Sequence, residues 1–146
     1  MRQWNRLRRL SLSDWALIVQ TIACSLLLPI PMRILAFRRT QALLLRLSPI
    51  ARLETYQEKE VQRVAALTAR VCGWRILQVN CLKRSLILWW FLRWHGAQSA
   101  LRIGVRQTTA GFEAHAWVVW NGQVIGEPTD HVNQFVPFSA NFAEPQ

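Results

Sequence analysis

Hydrophobic positions follow a helical period through the first third of the chain. No charged residue lies between Trp15 and Met32, so this segment predicts a strongly apolar helix, which Ser11 or Ser13 could cap. Asp14 would lie in its first turn, where the helix dipole favours a negative charge. The pattern favours a helix that is buried or faces a partner. A membrane-surface helix is less favoured, and a membrane span or signal segment least.

Three further helices are predicted along the chain. Pro29-Ile30-Pro31 should break the first helix, and leucines at helical spacing among arginines predict a second over residues 32–47. A broad apolar face predicts a third over residues 54–72. A connector then leads to a fourth helix over residues 81–95, rich in leucine and tryptophan, which Asn80 would cap.

The last third of the chain changes to the alternating pattern that is typical of strands. Strands are predicted over residues 100–106, 114–119 and 123–127, and Asn121-Gly122 between the last two is a strong hairpin signal. Helices followed by an antiparallel meander indicate an α+β fold. We expect N-terminal helices, and then the helix that begins at Cys81 packed on a small antiparallel sheet.

Composition and charge limit the classes of function. A chain of 146 residues with 51% hydrophobic positions predicts one folded domain. The first 53 residues contain nine arginines and one acid, whereas the rest is nearly balanced. We interpret residues 1–53 as a basic, apolar helical region of the same domain and residues 54–146 as its core. No zinc-finger spacing or aromatic RNA-binding strand accompanies the arginines, so no nucleic-acid partner is predicted.

Three cysteines, Cys24, Cys72 and Cys81, cannot all pair within one chain, which predicts a reducing, cytoplasmic setting. Cys24 and Cys72 are interpreted as small buried hydrophobic residues. Cys81 would lie in the first turn of its helix, where unpaired backbone amides and the helix dipole favour an anion. This position therefore favours a reactive thiolate.

His115 and Glu127 lie on the two strands of the predicted hairpin, whose register decides whether they meet. A two-residue turn at Asn121-Gly122 would place His115 opposite Pro128 and point Glu127 to the other face. A three-residue loop beginning at Trp120 would instead place His115 opposite Glu127, close enough for the carboxylate to orient the imidazole. We expect the three-residue loop.

A cysteine at a helix start, a histidine on a strand and an acid on the neighbouring strand supply the nucleophile, base and orienting group of acyl transfer. The residues therefore predict Cys81, His115 and Glu127 as a catalytic triad. The histidines, with Cys81, show no spacing typical of a zinc site. No metal and no cofactor are predicted.

Four short motifs resemble those of the lasso peptide leader peptidases, the stand-alone B proteins with a transglutaminase-like, papain-related core. They are C-L-K-R-S-L from Cys81, R-I-G-V-R from Arg102, A-H-A-W-V from Ala114 and a closing G-E-P-T. The resemblance covers nearly the whole chain. It implies that Cys81 is the nucleophile and His115 the general base. The third member is usually aspartate, whereas this chain has Glu127 there, with Asp130 as the substitute candidate.

The resemblance also implies the task and the partners. The chain would remove the leader from a ribosomally made precursor through a thioester acyl-enzyme, which frees the core amine for macrolactam closure by a separate ATP-dependent cyclase. It is too short for the leader-recognition domain that some relatives carry, so a separate recognition protein should deliver the leader. The basic, apolar first third would then be a docking surface for that protein or for the cyclase.

The backbone amide of Cys81 would help to hold the oxyanion, and Gln78 or Asn80 could supply a second donor. Arg84 and Trp117 could line the substrate groove. The main alternative is a non-catalytic, membrane-peripheral or partner-binding scaffold, in which the first third of the chain carries the function.

Overall fold

The chain folds as helices followed by an antiparallel sheet, as a computed structural model shows for residues 11–48 and 57–138. The sheet has the strand order β3-β2-β1-β4. The predicted α+β fold is confirmed. The elements in chain order are α1 (Leu12–Leu27), α2 (Pro29–Ile34), α3 (Phe37–Leu47), α4 (Glu58–Cys72), a 3₁₀ turn (Arg75–Leu77), α5 (Cys81–Trp94), β1 (Ser99–Thr108), β2 (Gly111–Trp120), β3 (Gln123–Ile125), α6 (Thr129–Val132) and β4 (Val136–Pro137).

Helix α1 begins with a reciprocal cap. The Ser11 hydroxyl accepts a hydrogen bond from the Asp14 amide, and the Asp14 carboxylate accepts one from the Ser11 amide. The Asp14 carboxylate also pairs with Arg63 of α4, at an N···O distance of 2.6 Å. Of the two serines predicted as caps, Ser11 is therefore the one that fills the role, and its partner Asp14 joins α1 to α4.

As predicted, the first helix ends just before the prolines, at Leu27, but the chain keeps its helical direction there and changes it only farther on. Pro29 is the first residue of α2, a position where a missing N–H costs nothing, and Leu28 before it keeps helical angles. Leu35 instead adopts an extended conformation (φ −107°, ψ 146°), so the continuous helix predicted over residues 32–47 is wrong. Helix α3 folds back on α2, where the buried Thr40 hydroxyl donates to the Pro31 carbonyl. This tertiary packing overrides the local helical pattern.

One helical stretch, Leu12–Ile34, is long and apolar enough to cross a membrane by length and composition, with a mean hydropathy of 1.8. Only 28% of its most apolar window is buried inside the protein. Its inner face, which includes Leu17, Ile18 and Thr21, is buried, and α1 packs against α4 and α5. One face of this helical stretch is therefore packed in the core, and the opposite face points away from it.

Helix α5 runs through the centre of the domain. Its cap is the predicted one, because the Asn80 side-chain oxygen accepts a hydrogen bond from the Lys83 amide at 2.9 Å. The indole of Trp89 donates to the Ser99 carbonyl of β1, and that of Trp90 donates to the Leu44 carbonyl of α3. These bonds hold α5 between the sheet and the N-terminal helices.

Strand β2 is covered on both faces, which positions its central residues. Val118 belongs to the main core with residues of α5, whereas Trp117 packs in a smaller cluster with Val132 and Phe135. The hydroxyl of Ser85 donates to the Ala116 carbonyl at 2.7 Å, so the first turns of α5 lie beside β2 next to His115. Since Ser85 is four residues after Cys81, both lie on the same face of α5.

Candidate active site

Cys81, His115 and Glu127 line one cleft, which has a volume of about 660 Å³. Cys81 is the first residue of α5, at the end of the helix where backbone amides lack helical partners. The Asn80 cap takes up the amide of Lys83, a different donor from the amide of Cys81. The structure thus places the predicted nucleophile at a helix start that opens onto the cleft.

The hairpin between β2 and β3 has the register that the sequence analysis did not expect. Trp120 pairs with Gln123 across the two-residue turn Asn121-Gly122. Both turn residues have positive φ, 49° and 79°. This is the backbone of a type I′ turn, whose twist matches the flanking strands and which Asn-Gly adopts readily. The expected three-residue loop is therefore wrong.

His115 and Glu127 nevertheless make direct contact. Strand β3 ends at Ile125, two residues before the predicted end, and Gly126 then turns the chain with φ 81°. This turn brings Oε2 of Glu127 to 2.6 Å from Nε2 of His115. The predicted contact is present, but a turn at glycine produces it rather than the predicted cross-strand pairing.

The second oxygen of Glu127 is held by Arg84. Nη2 of Arg84 donates to Oε1 of Glu127, and the carboxylate is only 6% exposed. Arg84 lies three residues after Cys81 on α5, so the same helix presents the thiol and fixes the acid. Arg84 lines the cleft as expected, but its guanidinium is engaged with Glu127. This partner of the acid is a role that the sequence analysis missed.

Aromatic rings enclose the imidazole of His115. Phe135 lies tilted at 5.0 Å between ring centroids, His131 lies edge-on at 4.9 Å, and Trp117 is nearly parallel at 6.3 Å. These rings and the Glu127 carboxylate together restrict the orientation of the ring. Because Nε2 is hydrogen-bonded to Glu127, Nδ1 is the ring nitrogen that could exchange a proton with a thiol or a substrate.

Two of the candidate residues lie away from the cleft. Trp117 is 5% exposed and packs with Val132 and Phe135, so it supports His115 and does not line the groove as expected. Its strand position explains this, because that face of β2 is covered by α6 and the chain after it. Asp130 is exposed in the first turn of α6, and it is not among the described residues that line the cleft. The structure brings Glu127, rather than Asp130, to the histidine.

Gln78 and Asn80, the two candidate oxyanion donors, both line the cleft. The side-chain oxygen of Asn80 is engaged by the helix cap. Gln78 lies in the left-handed region, with φ 45° and ψ 45°. Such angles are uncommon for a residue with a side chain, and strained backbone of this kind is often found at functional sites.

His131 also lines the cleft, and the sequence analysis did not select it. Donor atoms of His115, Glu127 and His131 lie within 4.8 Å of one another, which is close enough to share a metal ion. Both oxygens of Glu127 are already engaged, by Arg84 and by His115, so an ion would compete with both. The available signal was the short spacing in E-P-T-D-H, in which His131 is the fourth residue after Glu127.

The other two cysteines differ from Cys81 in their surroundings. Burial raises the pKa of Cys24 to about 11. Burial also raises the pKa of Cys72, which is 6% exposed. All three cysteines are free thiols. Thiols with a raised pKa carry little thiolate at neutral pH. The interpretation as a small buried hydrophobic residue holds for Cys72, which also lines the cleft, whereas Cys24 is only half-buried.

A family model of the transglutaminase-like superfamily matches residues 24–140 of the chain. The chain belongs to this superfamily. Transglutaminase-like proteins are generally cysteine proteases or transferases, so membership indicates thiol chemistry of the cysteine protease or transferase type. The matched residues include α5 and the whole sheet, which carry the cleft of this transglutaminase-like chain. The chain has no significant match among curated proteins and none among solved structures.

Proposed function

We propose that this transglutaminase-like protein is a cysteine peptidase that removes the leader from a ribosomally made lasso peptide precursor. The observation that carries the proposal is the contact between His115 and Glu127 inside the cleft that Cys81 lines. The superfamily supports the thiol chemistry. The substrate class rests on the resemblance of the Cys81, Arg102 and Ala114 motifs to leader peptidases.

The first step is attack of the Cys81 thiolate on the carbonyl carbon of the last leader residue. A C–S bond forms, and the carbonyl electron pair moves to the oxygen. His115 holds the proton taken from the thiol and delivers it to the nitrogen of the first core residue as the C–N bond breaks. The core leaves with a free amine, and the leader remains as a thioester on Cys81.

The second step is hydrolysis of the thioester. His115 removes a proton from a water molecule, the oxygen attacks the thioester carbonyl, and the C–S bond breaks. The leader leaves as a carboxylic acid, which loses its proton to solvent, and Cys81 returns as a thiolate beside a protonated His115. Glu127 orients the ring and stabilises its charged form through both steps, because its carboxylate accepts a hydrogen bond from Nε2 of His115. No bond is made to Glu127 or to Arg84.

The oxyanion that forms in each step needs at least two donors. The Cys81 backbone amide is the first, because it lies at the start of α5. We assign the second to the side-chain amide of Gln78, since the cap bond at Oδ1 holds the Asn80 side chain against the start of α5. The left-handed backbone of Gln78 would then serve to direct its amide into the cleft.

We also propose the partners that this activity requires. A separate recognition protein would deliver the leader, and a separate ATP-dependent cyclase would close the ring on the freed core amine. The reaction takes place in the cytoplasm, where three free cysteines remain reduced.

The experiment combines the full chain with short precursors and small recognition proteins encoded in its gene neighbourhood, and follows leader and core by mass spectrometry. The wild type should cut the precursor at one bond, and Cys81→Ala should abolish cleavage. Cys24→Ala is the matched control, because that thiol lies outside the cleft and should be dispensable. Cleavage that persists in Cys81→Ala, or a wild type that leaves the precursor intact, would contradict the proposal and favour a scaffold that does not cleave.

A further inference from the structure

Helices α1 and α2 carry a continuous apolar stripe on the side that faces away from the core. Its members recur at spacings of three, four and seven residues, so they fall along one line of the helix. The exposed fractions run from 48% for Trp15 to 89% for Leu12. The stripe consists of Leu12, Trp15, Val19, Leu26, Ile30 and Ile34.

The inner face of the same helices is also apolar, so the helix differs from an ordinary amphipathic surface helix. Leu17, Ile18 and Leu28 are buried in the domain. A surface helix of a globular protein normally has charged or polar residues opposite its core face. Here the outward face is almost uncharged over about 35 Å of helix, at 1.5 Å per residue. Such a surface requires an apolar environment outside the protein.

The exposed charged residues of α1, α2 and α3 are all of one sign. In the described part of α1, α2 and α3, the arginines Arg33, Arg38, Arg39 and Arg46 are exposed. The acid in these helices, Asp14, is 7% exposed and is paired with Arg63. Four more arginines and no acid precede Ser11 in the sequence. The surface of this region is therefore apolar and cationic.

A span of the bilayer does not fit these contacts. The Asp14–Arg63 pair and the buried residues Leu17 and Thr21 attach α1 to the domain along its length. Crossing the bilayer would break this pair and expose the core to solvent or lipid. A helix that keeps its inner face on the protein can place only its outer face into the interface.

We propose that the outward face of α1 and α2 binds the surface of an anionic lipid bilayer, with the helix axis parallel to the membrane plane. The apolar stripe enters the boundary between headgroups and acyl chains, Trp15 lies at that boundary, and the arginines pair with anionic headgroups. A lipid surface fits because the stripe lies along the outside of a helix, where a bilayer adapts to its shape. The peptidase would then act at the cytoplasmic face of the membrane.

Vesicle flotation tests the proposal with the full chain and vesicles of phosphatidylcholine alone or mixed with phosphatidylglycerol. The wild type should float with the mixed vesicles and bind phosphatidylcholine alone roughly six-hundredfold more weakly, since each of the four exposed arginines near the surface contributes about fivefold. Binding should weaken as salt is raised. A wild type that stays unbound, or binds both vesicles equally, would overturn the proposal.

Matched variants distinguish vesicle binding through the stripe from nonspecific binding through other exposed apolar residues. The triple variant Val19→Glu, Leu26→Glu and Ile30→Glu places charges at positions that are 55 to 61% exposed, so the fold should persist. It should lose vesicle binding. Phe112→Glu alters an 80% exposed phenylalanine on β2 and should bind like the wild type. Equal binding by the triple variant and Phe112→Glu would overturn the proposal.

A second set of variants leaves the stripe intact. Replacing Arg33, Arg38 and Arg39 by glutamine should lower binding to anionic vesicles roughly a hundredfold and leave weak binding to phosphatidylcholine unchanged. Light scattering gives the oligomeric state of each variant. If the wild type is an oligomer that leaves vesicles unbound and the triple variant is a monomer, the stripe is a contact between copies and the proposal is wrong. Vesicle binding is measured with neither the precursor nor the recognition protein present, so this test is independent of the proposed peptidase activity.

Discussion

Nε2 of His115 lies 2.6 Å from Oε2 of Glu127, although the strands that carry them are not paired at these positions. The last pair of the hairpin on that side joins Val118 to Ile125. Gly126 then turns the chain in the left-handed region and returns Glu127 toward β2. The orientation of the imidazole therefore depends on one glycine as well as on the acid.

Replacing Gly126 by alanine should impair both the fold and the site. Its φ of 81° is unfavourable for alanine, and the new Cβ would lie 3.1 Å from Cδ2 of Leu88. We expect a loss of about 1 to 2 kcal/mol in the free energy of unfolding, which denaturant titration measures. The displaced Glu127 should also lower peptidase activity, which the precursor assay measures.

Gly122→Ala is the matched control for this variant. Gly122 has a similar φ of 79°, but nothing lies within 4 Å of the added Cβ, and the position is at the hairpin turn. It should lose a similar free energy of unfolding and keep its activity. Equal activity of the two variants would show that the turn at Gly126 does not position Glu127.

Arg84 should act as a positioning residue through Glu127. Arg84→Gln removes the cation that holds Oε1, so the carboxylate gains freedom and the imidazole is oriented less well. We expect kcat to fall about tenfold with a much smaller change in KM, and Arg84→Lys to recover part of the loss. Steady-state kinetics on the precursor provides both constants. A rise in KM alone would instead assign Arg84 to substrate binding.

Because the backbone at Gln78 is strained, a substitution there should affect stability and activity differently. Gln78→Gly relieves the left-handed conformation (φ 45°) and removes the side-chain amide. The free energy of unfolding should stay the same or rise, while kcat falls by about a hundredfold for the loss of one oxyanion donor. Retained activity in a stable Gln78→Gly protein would exclude this role and leave Asn80 as the candidate.

The cap of α1 gives a pH-dependent stability. Burial alone would raise the pKa of Asp14, but hydrogen bonds from the Ser11 amide and from Arg63 outweigh it and hold the pKa below the ordinary value. A lowered pKa in the folded state means that the carboxylate stabilises the fold above about pH 4, and that this stabilisation is lost as the pH falls further.

Asp14→Asn should therefore lower the free energy of unfolding by about 1 kcal/mol at pH 7, because it removes the charge that pairs with Arg63 and with the helix dipole while the Ser11 cap remains. The difference from the wild type should shrink as the pH falls through the folded pKa. Asp130→Asn, at an exposed acid, should change stability little at either pH. Thermal unfolding at a series of pH values measures these differences in stability. A difference for Asp14→Asn that stays constant down to low pH would show that the carboxylate charge contributes nothing.

The elements that local signals define were predicted well from the sequence. Asn80 and the leucine-rich period that follows it indicated α5, and Asn121-Gly122 indicated the hairpin. The register was missed because the third strand was assumed to continue through Gly126, where the backbone instead turns. A glycine permits such a turn, but its sequence position alone does not show that the turn occurs.

The residues that support the site were harder to predict, because their roles depend on tertiary contacts. Arg84 and Glu127 are 43 residues apart, and nothing local to either one pairs them. Trp117 lies in a segment with the alternation expected of a strand. Whether α6 covers the face of β2 that carries Trp117 is decided by the packing of Phe135. The break at Leu35 likewise follows from the return of α3 onto α2.

The central claim is that His115 activates the Cys81 thiol as a nucleophile, and the rate of alkylation by iodoacetamide tests it most directly. Peptide mapping gives the rate at each cysteine of the full chain at pH 7. Cys81 should react at least about tenfold faster than Cys24, whose pKa burial raises to about 11. His115→Ala should slow the alkylation of Cys81 by about tenfold. His95→Ala, at the far end of α5, should leave the rate unchanged. A Cys81 rate that is the same with and without His115 would contradict the account.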